Sequence, residues 1–406
     1  MSAKLKVTIL VGGRWHAFDL ARGLKARGVL HRLVTSYPWF KVKRWGFSRD
    51  EVVTLPATQW VDQVVQRGVP ARWRTKFQHF IHSHFAEAAA RYVEGADIVH
   101  GWSSFSEPAI ARCRALGIPF VLERSSSHML TQCQLLKEEQ SILGLHGGAT
   151  HPEIVEMEIR EYAAANRVAV PSRFVERSFI ESGFPIERIA YNPLGVNLAQ
   201  FSPGTEQASG EFRVIYAGSL TYRKGIHYLV EGYRQAAIAG ARLVLVGGPS
   251  DETGQLIGEP PPGLERVGHV PQSELVRHYR RASVFVLASI EEGMAMVQAQ
   301  ALACGLPLIC TENTGGEDLL QIIAPSVEPV HEEGGVRRYP AGFVVPIRDP
   351  ASIARCLDRL YQSPELLRKQ SEAALKIHQA SLDWQAYADR AITQYRQIIQ
   401  TTPQHV

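Results

Sequence analysis

Ser289-Ile290-Glu291-Glu292-Gly293-Met294-Ala295-Met296-Val297-Gln298-Ala299-Gln300-Ala301-Leu302-Ala303-Cys304-Gly305-Leu306-Pro307 links two apolar runs through an acidic glycine turn. The run before it, residues 282–288, is short and continuous, as for a parallel strand covered on both faces, and residues 308–310 form another. The small residues between have helical length and stop at Gly305, with Pro307 just beyond. The unit reads as strand, turn, helix, strand. A helix beginning near Ala295 points free N–H groups and the positive end of its dipole out of the carboxyl edge of the sheet, a place that suits phosphate. Taken alone, the stretch is equally compatible with an ordinary βαβ crossover carrying a solvated Glu pair.

Strand-like runs alternate with helical stretches over nearly all of the 406 residues, which predicts an α/β architecture with parallel sheets. One series runs through residues 6–11, 97–100, 119–123 and 167–171; a second runs through 213–218, 242–248 and the two strands around the opening stretch. An amphipathic helix from about His16 to Arg27, closed by Gly28, follows the Gly12-Gly13 turn. Residues 197–210 are polar and rich in Gly, Ser and Pro, as in a linker. The predicted units are therefore residues 1–200 and 205–383, two Rossmann-like domains facing each other across a cleft. A helix starts at Pro350 behind Asp349, and an amphipathic C-terminal helix within 384–406 is expected to cross back onto the first domain.

Composition, 45% hydrophobic and 21% charged, is ordinary for a soluble globular protein. No apolar run approaches the roughly 18 residues that span a bilayer, and residues 5–11 are too short and too soon followed by Gly12-Gly13 for a signal peptide. The expected compartment is the cytoplasm. Cys113, Cys133, Cys304, Cys310 and Cys356 are scattered without metal-like spacing and read as reduced core residues, so no metal is expected. The net charge of +4 is mild, but residues 37–77 interleave Lys and Arg with Trp and Phe. That pattern suits peripheral contact with an anionic inner membrane face, where each cation contributes about 1 kcal/mol. A solvated basic face with the rings packed inward is the competing reading. No nucleic-acid motif is present, so no nucleic-acid partner is expected.

Tyr216-Ala217-Gly218-Ser219-Leu220-Thr221-Tyr222-Arg223-Lys224-Gly225 ends the first strand of the second series and delivers two cations ahead of a helix. Ligands lie outside the carboxyl ends of parallel strands, so Lys224 and the helix near Ala295 are expected to converge on one anionic group. A pyrophosphate leaving group needs such cations to neutralise its developing charge. No Asp-x-Asp occurs, which argues against a metal-bridged diphosphate. There is no GxGxxG after a strand, no GxxxxGK[ST] and no G-x-S-x-G, which counts against NAD dehydrogenases, P-loop NTPases and serine hydrolases.

With these segments the chain resembles family 4 retaining glycosyltransferases of the GT-B fold, essentially end to end. Glu292 and Gly293 match the family's acidic glycine turn, and Ala301-Leu302-Ala303-Cys304-Gly305 matches its helix, while Gln300 stands where the family has a second Glu. The other landmarks follow in order: Gly12-Gly13, Pro171-Ser172-Arg173-Phe174, Leu194-Gly195-Val196-Asn197, Lys224-Gly225, Val246-Gly247, Gly268-His269-Val270 and Thr314-Gly315-Gly316.

The resemblance implies a nucleotide-sugar donor on the second domain and an acceptor on the first. Lys224 would hold the diphosphate, with Arg223 beside it compensating for Ser219, where the family commonly has Arg. Amides of Gly293, Met294, Ala295, Met296 and Val297 would bind sugar and phosphate, Glu292 a sugar hydroxyl, and Gln300 the ribose diol. Gly13, Gly268, His269 and Val270 complete the donor-side expectation. His128 is expected at the cleft as a positioning or polarising group, so that His128, Lys224 and Glu292 form the expected catalytic set. His16 and Arg124 are placed on the acceptor side, although Glu123 and Arg124 read equally well as a strand-end ion pair.

The resulting expectation is a metal-independent, cofactor-free retaining hexosyltransferase acting from a UDP-sugar, favoured over a GDP-sugar, on a polysaccharide or lipid-linked glycan. A sugar-nucleotide epimerase of the same fold and a non-catalytic nucleotide-sugar-binding subunit, the latter suggested by Ser219 and Gln300, are the alternatives.

Overall fold

The computed structural model describes residues 4–58, 61, 64–65, 71–145, 150–204 and 210–402, with the side chains of 71–76 excepted. The first sheet contains β1 (Val7–Val11), β2 (Leu30–Thr35), β3 (Val52–Thr54), β4 (Ile98–Trp102), β5 (Phe120–Glu123), β6 (Arg167–Val170) and β7 (Ile189–Tyr191). They pair in the order β3-β2-β1-β4-β5-β6-β7, parallel throughout. The second contains β8 (Arg213–Ala217), β9 (Arg242–Val246), β10 (Leu264–Gly268), β11 (Val284–Leu287), β12 (Leu308–Thr311), β13 (Val330–His331), β14 (Arg337–Tyr339) and β15 (Gly342–Val345). Their order is β10-β9-β8-β11-β12-β15-β14-β13, parallel except for the antiparallel hairpins at the β13 edge.

The apolar runs became central strands because they are sealed on both faces. Every residue of β1, β4, β11, β12 and β15 is buried. In each sheet the first and fourth strands are neighbours, so strand order reverses there and leaves a crevice at the carboxyl edge. Gly12-Gly13 leaves β1 at one crevice; Gly218 leaves β8 and Ser289 leaves β11 at the other. The two crevices face each other.

Two helices tie the halves together. Trp384–Thr401 returns to the first sheet and packs on the helix Ala17–Ala26 so closely that a Cβ on Gly23 would come within 2.4 Å of the Ala388 methyl. Met129–Leu143 is a helix whose buried residues are Met129 and Glu139. It has no apolar stripe for periodicity to find, because it meets the second domain through charge. Glu139 bonds His227 at 2.8 Å and Arg348 at 2.7 Å, and Gln140 bonds the Tyr222 hydroxyl at 2.8 Å.

Candidate active site

The two crevices enclose a cleft of about 1050 Å³ whose wall includes His16, Arg124, Arg223, Glu292, Met294 and Gln300. On the donor side the acidic glycine turn is held by charges from both domains. Glu291, fully buried and not the solvated residue of the simpler reading, accepts from the Ser127 amide and hydroxyl, each at 2.8 Å, and pairs with Arg223 at 2.8 Å. Burial pushes its carboxyl up, but Arg223 and the Ser127 hydrogen bonds outweigh that and hold it below the usual carboxylate range. Lys224 contacts Glu292. Burial, and then Arg223 beside it, push the Lys224 ammonium down to about 8.

Steric limits explain two glycines here. A Cβ on Gly293 would lie 1.7 Å from the Ser125 carbonyl oxygen across the cleft, while the Gly293 carbonyl accepts from the Ser172 hydroxyl at 2.7 Å. Gly225 has φ +62°, and a Cβ there would strike the Ala288 carbonyl, so the cation turn nests against the end of β11. The helix Met296–Ala303 then begins at Ala295 without a side-chain cap. Gln300 on that helix is 6% exposed, and its Oε1 is buried without a partner among the described residues. An unsatisfied buried acceptor on a cleft wall is a place for a ligand hydroxyl.

Of the other expected donor residues, Met296 also lines the cleft; Gly293, Ala295 and Val297 are not part of its lining, and Lys224 borders it through its contact with Glu292. Ser219 is exposed and its carbonyl accepts from the Tyr216 hydroxyl at 2.8 Å. Gly268 ends the edge strand β10 and His269 and Val270 follow it, all three outside the cleft lining, with His269 exposed. Gly13 is part of the β1 turn, its carbonyl accepting from Thr35 at 2.7 Å.

The placement of His128 at the cleft is corrected. Its ring packs against Tyr162 and Phe179 inside the first domain, its Nδ1 accepts from the Leu130 amide at 3.4 Å, and it is absent from the cleft wall. Burial, aided by Arg124, pushes it down to about 4, which keeps it neutral. As the cap of Met129–Leu143, its side chain turns back onto the first turn of that helix. The Glu123–Arg124 ion pair is corrected too: successive strand residues point to opposite faces. Arg124 pairs with Glu158 at 2.9 Å, and Glu123 bonds His16 and His100, each at 3.1 Å.

The sequence did not single out Glu291, Trp102 or Trp45 for the site. Glu291 was visible only as the neighbour of Glu292, and which of the two is buried depends on Ser127, remote in sequence. Trp45 comes from the basic, aromatic stretch and stacks under Arg14 and Arg22 at the cleft wall. From the same stretch Phe40 and Phe77 are exposed. Arg72, Trp73, Arg74 and Lys76 lie outside the described side chains. The five cysteines are free, and no cluster among the described residues could hold a metal ion.

Two facing Rossmann-like sheets with a cation turn and an acidic glycine turn at one switch point define a GT-B glycosyltransferase. Residues 11–200 match the family model described as Glycosyltransferase Family 4, and residues 211–363 match Glycosyl transferases group 1. The chain belongs to glycosyltransferase family 4. It is 27% identical to D-inositol 3-phosphate glycosyltransferase 1 of Catenulispora acidiphila over 85% of this chain and 84% of that one. It is 24% identical to the amylovoran biosynthesis glycosyltransferase AmsK of Erwinia amylovora over 58% of each. Sucrose-phosphate synthase from Thermosynechococcus elongatus shares the fold with a TM-score of 0.71 at 20% identity, covering 97% of this chain and 99% of that one. Anabaena HepE, solved in complex with UDP, shares it at 0.66 and 14% identity, covering 97% and 100%.

Proposed function

We propose that the protein is a retaining hexosyltransferase that moves a sugar from a UDP-linked donor to a growing polysaccharide or lipid-linked glycan without a metal. The observation that carries this reading is the meeting of Arg223 and Lys224 with Glu291 and Glu292 beside the uncapped helix Met296–Ala303, against the cleft. A diphosphate entering there takes Lys224 from Glu292, frees that carboxylate for a sugar hydroxyl, and receives the helix amides on its other oxygens. As the C1–phosphate bond breaks, Arg223 and Lys224 neutralise the charge on the departing group, which is the work a metal does elsewhere. The acceptor hydroxyl attacks from the face the diphosphate leaves, and the phosphate takes its proton. Gln300 Oε1 accepts from the ribose; as a neutral acceptor it loses about 1 kcal/mol against a carboxylate, offset by cheaper burial.

UDP is favoured by the relatedness in fold to HepE, solved with UDP and with UDP-glucose, and a glycan acceptor by the amylovoran enzyme. Among the described residues no helix is long and apolar enough to cross a membrane. Exposed Phe40 beside Lys41, Lys43 and Arg44 supports peripheral contact with the inner membrane face. Family membership does not favour the epimerase or the non-catalytic subunit. The test is to incubate the protein with UDP- and GDP-sugars, with and without glycan acceptors, in the presence and absence of EDTA, following UDP release and the anomeric proton of the product. Acceptor-dependent, EDTA-insensitive UDP release with retained configuration is expected. An inverted product removes the retaining mechanism, and no release with any acceptor removes the transferase.

A further inference from the structure

His16, unlike His128, stands on the cleft wall, which His82 also lines, and its surroundings fix more than its position. Its Nε2 lies 3.1 Å from Glu123 Oε1, and Glu123 Oε2 lies 3.1 Å from His100 Nε2. Glu123 is 1% exposed; burial would raise its carboxyl, but hydrogen bonds from His100 and His16 outweigh burial and hold it down to about 2, so it is ionised and accepts only. Both imidazoles therefore donate through Nε2–H. His100 completes its set through Nδ1, 2.7 Å from the Tyr395 hydroxyl, and Tyr387 donates to Glu123 at 3.4 Å, both tyrosines coming from the returning C-terminal helix.

In the neutral imidazole, that leaves His16 Nδ1 as the acceptor. It has no partner among the described residues and is not among the buried polar atoms sealed from solvent, while the residue lines the cleft. Beside it, with ring centroids 5.2 Å apart, stands Trp102, 3% exposed and also on the cleft wall, whose Nε1–H is buried with no acceptor among the described residues. An open acceptor next to an orphaned donor is the complement of a hydroxyl, which donates once and accepts from another partner. The Trp384 ring, stacked parallel to His16 at 6.4 Å, adds an apolar face.

We infer that His16 and Trp102 form a clamp for a hydroxyl of the acceptor sugar, with Glu123 as the positioning residue that fixes the His16 tautomer. The inference rests on the transferase reading. In that reaction the attacking hydroxyl gives its proton to the departing phosphate, so the clamped hydroxyl is a neighbouring one on the same ring, and the clamp sets which hydroxyl faces the donor. The clamped group is a neutral hydroxyl of a polyol ring, bound by one donor and one acceptor in a cleft that Arg14, Asp19 and Arg22 also line.

The tautomer is read first, in the unliganded wild type, by long-range proton–nitrogen NMR of histidine-labelled protein, with the His16 signals assigned by their loss in His16→Ala. Protonated Nε2 and bare Nδ1 are expected; a protonated Nδ1 overturns the clamp whether or not the protein turns over. In kinetics, His16→Ala and Trp102→Phe are each expected to raise the acceptor KM about tenfold or more, as for one lost hydrogen bond, with UDP affinity unchanged. Unchanged acceptor KM in both overturns the clamp, whereas absence of UDP release by the wild type with any acceptor removes the transferase reading and leaves the tautomer result standing. Glu123→Gln, offering one acceptor and one donor in place of two acceptors, is expected to redistribute the His16 tautomers and raise acceptor KM; an unaltered His16 signal removes the positioning role. Should that variant fail to fold, the wild-type spectrum and the other two variants decide.

Discussion

Lys224 lies between Glu292, with which it is in contact, and Arg223, which with burial lowers its pKa to about 8. A diphosphate binds the ammonium form, so donor affinity is expected to be highest below pH 8 and to fall as pH rises through 8, by up to tenfold per unit, as the lysine sheds its proton. Calorimetric titration of UDP between pH 6.5 and 9.5 measures this, and Lys224→Arg, which stays charged, is expected to flatten the fall. Arg223 is anchored on Glu291 and the Ser126 hydroxyl at 3.2 Å, so its guanidinium already spans both domains at the cleft wall. Arg223→Ala is expected to weaken UDP by about 2 kcal/mol, the scale of a charged hydrogen bond. Unchanged affinity would show that Arg223 does not stand in for the missing cation at Ser219.

At the scale of the element, the turn from Ser289 to Gly293 and the helix after it act as one piece of the interface between the domains. Gly293 has the Ser125 carbonyl where a side chain would stand, with Ser172 bonded to its own carbonyl. Gly293→Ala is therefore expected to leave each sheet folded while holding the domains apart, lowering kcat tenfold or more with a smaller effect on the thermal midpoint. Wild-type kcat in that variant would show that the turn does not close against the first domain during catalysis. The neighbouring Cys310 and Gln298 side chains crowd Gly316 in the same way, so the two glycine turns of the second domain are packed as a unit.

At the scale of the whole molecule, closure depends on a charged clamp on one side and a shared helix on the other. Arg348 reaches Glu139 at 2.7 Å and Glu138 at 3.1 Å, from a backbone with φ +61°. Removing one partner of a buried pair costs about 3–5 kcal/mol, and less here because Arg348 itself is 23% exposed. Arg348→Ala is expected to lower the thermal midpoint and to increase the radius of gyration in X-ray scattering as the domains part. A scattering curve identical to wild type would show that the remaining cleft contacts suffice. On the opposite side, Arg27 holds Asp389 and the Asn192 amide donates to the Tyr387 carbonyl at 3.3 Å, so the C-terminal helix keeps the first domain joined to the chain leaving the second.

The sequence by itself determined the two parallel sheets, the cation turn at Arg223-Lys224-Gly225 and the acidic glycine turn at Glu292-Gly293. These are local signals: an unbroken apolar run reports a strand sealed on both faces, and a glycine next to a charge reports a turn, whatever the rest of the chain does. Strands at or near the sheet edges, such as β2 with His31 and Arg32 and β10 with Glu265 and Arg266, carried no such run because one side of each meets solvent or charge. Only the tertiary structure decided that His16 and not His128 faces the cleft, that Glu291 and not Glu292 is sealed, and that Met129–Leu143 clamps the domains through Glu139. Each of those outcomes is a choice of side-chain direction made by partners far away in sequence: Trp384 and Glu123 for His16, Ser127 for Glu291, Arg348 for Glu139. No spacing along the chain encodes which of two neighbouring polar residues will find such a partner, because burial is settled only when the two domains meet.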